Sequence, residues 1–75
     1  MRELVEYIAG TLTGAPESVT VTEEQRGHRV VLRLQVDDAH KGKIIGRGGR
    51  VAESMRALLR VAAVKSHTRA VLQID

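Results

Sequence analysis

The chain has 75 residues, no cysteine and one aromatic side chain, Tyr7. This length fits one small domain spanning residues 1–75. The lack of thiols removes a disulfide framework and any thiolate metal site. A lone tyrosine cannot build the stacking platforms on which RNA-recognition motifs, OB-folds and cold-shock domains hold bases.

The apolar fraction of 43% is that of a globular protein rather than a disordered one. Glu3 and Glu6 interrupt the N-terminal apolar residues, which excludes a signal-peptide core. No apolar run approaches the roughly 20 residues of a membrane span. A cytoplasmic protein with no membrane partner is therefore expected. The net charge of +3 conceals a polarity along the chain. Residues 1–39 carry four Lys/Arg against seven acids, a net −3, and residues 40–75 carry eight against two, a net +6. The basic half points either to a polyanion such as nucleic acid or to a solvated basic surface.

Leu4, Val5, Ile8 and Leu12 recur at helical spacing and predict an amphipathic helix, ended by Gly14 and Pro16. Ser18 to Glu23 alternates and predicts a strand, with Glu24 to Gly27 as a turn. His28 to Val36 alternates again, with Val30, Leu32, Leu34 and Val36 on one side, so the pair forms an antiparallel hairpin. Asp37 or Asp38 caps a short helix that runs through Ala39 to about Ile45. Gly46 to Gly49 breaks it, and a longer helix starts at about Arg50 with Val51, Met55, Leu58, Leu59 and Ala62 on its inner face. Arg69 to Ile74 closes the chain as a strand, with Ala70, Leu72 and Ile74 inward. The last strand is separated from the second by two helices, a crossover that makes the two parallel neighbours. The expected fold is α+β: order α-β-β-α-α-β, a three-stranded mixed sheet and helices packed on one face.

The stretch KGKIIGRGGRV, Lys41 to Val51, concentrates four glycines and four cations with two isoleucines and no acid among them. Gly46 can end one helix in a left-handed conformation. Gly48 and Gly49 leave the backbone bare, so an anion can approach the N–H groups that open the next helix. Arg47 and Arg50 add directional donors for phosphate, and Lys41 and Lys43 enlarge the positive field. Of Ile44 and Ile45, one is free to serve as an apolar floor. Read from the residues alone, the stretch is either a clamp on a sugar-phosphate chain or a plain inter-helix turn with solvated cations. A Walker loop is excluded because no Gly-Lys-Ser/Thr occurs. A dinucleotide fingerprint is excluded because no strand precedes the glycines.

Ile44-Ile45-Gly46-Arg47-Gly48-Gly49-Arg50-Val51 resembles the K-homology (KH) signature I-I-G-x-x-G-x-x/hydrophobic. The element order resembles the type II KH fold over the whole chain. Together with Lys41-Gly42 and the run Gly49-Arg50-Val51-Ala52 followed by Met55-Arg56, it is similar to the small stand-alone bacterial KH proteins of the KhpA (YlqC-like) family. The resemblance implies binding of about four nucleotides of single-stranded RNA across the GXXG loop. It implies a clamp at Gly46 to Gly49, a groove edge with Ile45, Arg50 and Arg33, and a short variable loop at Val64 to Thr68. One departure is Gly48, which stands where the signature often carries a cation. The resemblance also implies a protein partner, either a second copy or a larger KH protein of the KhpB (Jag) kind.

Ala57, Val61 and Val64 form a second apolar strip on the last helix, to be covered by the first helix or by a second copy. His28, His40 and His67 lie on different elements and predict no metal site. No nucleophile stands out and no catalytic constellation appears, so neither catalysis, a cofactor nor a small-molecule substrate is expected. Arg56 and Arg60 are assigned to the outer face of their helix. Three readings stay open on the residues: a non-catalytic RNA binder, a protein-pairing module, and a helix-turn-helix DNA binder. The last is disfavoured by Val51 and Ala52, which stand where base-reading polar residues belong.

Overall fold

The computed structural model describes all residues, 1–75, and its elements follow the expected order. They are α1 (Arg2–Thr13), β1 (Thr20–Arg26), β2 (Arg29–Gln35), α2 (Asp38–Ile45), α3 (Arg50–Lys65) and β3 (Arg69–Ile74), with single 3₁₀ turns at Pro16–Ser18 and Arg47–Gly49. The sheet order is β1-β2-β3, antiparallel between β1 and β2 and parallel between β2 and β3. The three helices cover one face. Leu32 and Leu34 of β2 are fully buried there with Val5, Ile44 and Leu59, while Arg29, Arg33 and Gln35 point to the open face. As expected, β3 turns Leu72 into the core, with Ala70 and Ile74 packed against it.

Several boundaries and faces differ from the sequence expectation. Ser18 ends a 3₁₀ turn begun at Pro16, which sets a helical φ, and the strand starts only at Thr20, after an extended Val19. At its other end β1 continues through Glu24↔Val31 and Gln25↔Val30 to Arg26↔Arg29. The turn shrinks to Gly27-His28, where Gly27 at φ 61° supplies the left-handed first position of a two-residue hairpin loop. The polar end of β1 outruns the core, so burial leaves no mark on its sequence.

The helices are rotated from the expected stripes. On α1 the buried residues are Val5, Ala9, Gly10 and Thr13, while Leu12 is exposed. Added bulk at Gly10 would press on Pro16 at 3.2 Å, so small residues mark the close contact. Thr13 satisfies its buried hydroxyl by donating to the Ala9 carbonyl at 2.9 Å. On α3 the buried residues are Ala52, Met55, Leu59 and Ala63, and Leu58 is half exposed. Alanine at 52 and 63 brings the helix close to the sheet, which turns Leu58 outward.

Candidate nucleic-acid interface

The glycine-basic corner joins α2 to α3. Asp37, not Asp38, caps α2: its carboxylate accepts from the His40 backbone N–H at 3.2 Å and pairs with His40 Nδ1 at 2.5 Å. That hydrogen bond holds the Asp37 carboxyl below its ordinary value. α2 ends with the Gly46 N–H donating to the Gly42 carbonyl at 2.8 Å.

Gly46 differs from the left-handed cap expected of it. Its φ of 77° and ψ of 172° lie in a region essentially restricted to glycine. A β-carbon there would stand 2.4 Å from the Val51 side chain. The chain thus folds back over the first turn of α3, and only glycine fits. Gly48 and Gly49 take the left-handed conformation instead, at φ 66° and 75°, and open space surrounds both. The glycine at 48, unexplained by the signature, has its reason here: the backbone needs positive φ at that position.

α3 begins at Arg50 with Gly49 as its N-cap, and no side chain caps it. The first N–H groups of a helix have no partner inside it and carry the positive end of its dipole. Arg47, Gly48 and Arg50 are exposed around this start. Neither arginine is in an ion pair, and neither is Lys43. The only acid in the first turn of α3, Glu53, is engaged by Arg56 at 3.3 Å. The Gly49 and Arg50 N–H groups donate to the Gly46 and Arg47 carbonyls within the 3₁₀ turn, so the corner offers glycine backbone without a side-chain cap and free guanidinium groups in open solvent.

The other expected site residues divide. Ile44 is fully buried and Ile45 is 38% exposed, so the pair separates into an anchor and an apolar surface beside the corner. Lys41 lies 3.5 Å from Asp38, one turn back, which offsets part of its charge. Arg33 does not reach a groove edge: it stands on the open face of the central strand, opposite Thr22 and Gln73. Sequence reasoning missed Arg56. Rather than facing outward, it is partly buried and reaches the β3 edge, where it donates to the Leu72 carbonyl at 3.5 Å. Its place three residues after Glu53 and one after the buried Met55 was the available signal.

A two-layer α+β domain of this order, with an exposed GXXG corner between its two central helices, is a type II KH domain. The chain belongs to the KhpA/KhpB KH-domain family, whose model matches residues 2–74. It is 39% identical over 74 residues to the protein named RNA-binding protein KhpA in Clostridium perfringens, covering 99% of both chains. It is 42% identical over 72 residues to the protein of that name in Treponema pallidum, covering 96% of this chain and 90% of the relative. The protein of that name in Aquifex aeolicus is 38% identical over 74 residues, covering 99% of this chain and 94% of the relative. No solved structure matches the chain significantly. No helix is long and apolar enough to cross a membrane.

Proposed function

We propose that this protein is a non-catalytic, cytoplasmic RNA-binding protein that grips single-stranded RNA by its sugar-phosphate backbone at Gly46–Gly49. The supporting observation is the open corner itself: bare glycine backbone at an uncapped helix start, flanked by unpaired Arg47 and Arg50. Backbone N–H groups at the corner that the 3₁₀ turn does not engage meet phosphate oxygens, Arg47 and Arg50 add charge-assisted hydrogen bonds, and Lys43 with Lys41 raises the local potential. Ile45 lies against a ribose or base. The loop between α3 and β3 is only Ser66 to Thr68, so few side chains reach base edges and sequence preference is weak.

The test is a titration with short oligoribonucleotides. About four phosphate contacts on a single strand give a log–log salt slope near −3. Arg47→Asp with Gly48→Asp abolishes binding while the domain stays folded, since both positions are exposed. Undiminished binding by that folded variant overturns the clamp.

A second reading, pairing with another protein chain, is supported by the strip on α3. The first helix does not cover it: Val61 is 58% exposed and Val64 72%, and Leu58 joins them at 51%. An unbroken apolar helix face of this kind in so small a domain suits a second copy or a related KH chain of the KhpB (Jag) kind. If the wild type sediments as a dimer, Val61→Arg yields a folded monomer. A dimer that survives Val61→Arg excludes this seam.

A further inference from the structure

The far end of α3 holds a feature that the clamp does not use. A cleft of 380 Å³ opens where the C-terminal half of α3 meets the start of β3. Three arginines from three different elements line it: Arg29 of β2, Arg60 of α3 and Arg69 of β3. All three are exposed, and none is in an ion pair. The apolar part of the lining includes Ala63 and Val64 of α3 and Val71 of β3. The size suits a small polar ligand lying on an aliphatic floor.

Register makes the charge deliberate. Arg26 stands opposite Arg29, and Arg29 stands opposite Arg69, so three guanidinium groups line up across the sheet. Like charges directly opposite in a sheet repel. The one nearby acid, Glu24, is engaged by Arg26 at 2.8 Å. No ion pair of this chain engages Arg29 or Arg69, so the row presents its positive charge to solvent, where an anion can approach it. The clamp lies at the other end of the same helix: from Arg50 to Val64 the axis advances about 21 Å.

We propose that this cleft is a second station for the same RNA strand, binding a nucleotide beyond those held by the clamp. Arg29, Arg60 and Arg69 contact its phosphate, and its sugar or base lies against the exposed Val64 and Val71. The proposal rests on the single-stranded-RNA reading above. It predicts a footprint longer than the four or so nucleotides that one GXXG corner holds.

The test compares two oligouridylates, about five and about fifteen nucleotides long, by fluorescence anisotropy. For Arg29→Gln with Arg69→Gln, Kd for the long strand rises about tenfold and its salt slope becomes shallower by about 1.4, two phosphate contacts. Kd for the short strand stays within about twofold, because the clamp is untouched. The variant remains folded, with a melting temperature at or above wild type, since a repulsion has been removed. Arg60→Gln, placed on the helix, weakens the long strand in the same direction by a smaller factor. Unchanged long-strand affinity in both variants, or an equal loss on the short strand, overturns the second station. The Arg47→Asp, Gly48→Asp variant separates the two readings. If it still binds both lengths, the clamp has failed; if it loses both while Arg29→Gln with Arg69→Gln loses neither, only the cleft has failed.

Discussion

The two ends of α3 use the same device, a residue at positive φ, for opposite results. At the C-terminal end His67 takes φ 55°, the Thr68 N–H donates to the Ala63 carbonyl at 2.9 Å, and the His67 N–H donates to the Val64 carbonyl at 3.1 Å. This is a Schellman closure with histidine in the place usually held by glycine. The carbonyls of Ala62, Ala63 and Val64 are satisfied by the N–H groups of Ser66, Thr68 and His67, so the end is closed. At the N-terminal end three glycines at positive φ fold the chain back and leave the first N–H groups without a capping side chain. One end closes on its own carbonyls, and the other starts without a side-chain cap, its Gly49 and Arg50 N–H groups turned back onto the Gly46 and Arg47 carbonyls. The contrast separates a turn that closes a helix from one that opens a helix with bare backbone, without reference to charge.

The largest effect that breaks the contrast is expected at Gly46. Gly46→Ala collides with Val51 and occupies a glycine-only conformation, and it costs about 2–4 kcal/mol in urea unfolding. Gly48→Ala meets open space and carries only the left-handed penalty, about 1 kcal/mol. Equal losses at the two positions show that the fold-back over Val51 is not what makes Gly46 necessary.

A smaller and opposite effect is expected at the finished end. His67→Gly relieves the left-handed strain there and raises stability by roughly 0.5–1 kcal/mol, read as a higher melting temperature. Lower stability in that variant means that the imidazole makes a contact worth more than the strain.

The smallest effect sharpens the difference between the starts of α2 and α3, one capped by a side chain and one not. The hydrogen bond with His40 lowers the Asp37 pKa below the ordinary 3.8. A group whose folded value is depressed stabilises the fold above the unfolded value, and this is lost as pH falls through the folded value. The melting-temperature advantage of wild type over Asp37→Ala is therefore full at about pH 5 and shrinks towards about pH 2. An advantage that is constant over that range rules out the ionised cap.

The element order was readable because the period of apolar residues switches cleanly between two and about three and a half. The facing of the helices was harder. Ala9, Ala52 and Ala63 hold the closest contacts yet contribute little hydropathy contrast, whereas Leu12 and Leu58 look like core and lie outside it. The polar end of β1 escaped notice because Glu23 to Arg26 pair in the sheet beyond the helices' cover. At the corner, composition marked the residues, but the φ/ψ values that distinguish Gly46 from Gly48 come only from the backbone. The arginine row was hidden because Arg29 and Arg69 lie far apart in sequence and meet only through the parallel register.

That parallel register also governs how the molecule assembles. The hairpin of β1 and β2 is local, but β3 docks on β2 only after α2 and α3 have been traversed, a contact across most of the chain. Closing so long a loop precedes any reward from it, so this pairing is expected to be the slow step of folding. During synthesis Leu32 and Leu34 wait with one side bare until Leu72 leaves the ribosome, and the nascent hairpin is the stage most exposed to aggregation.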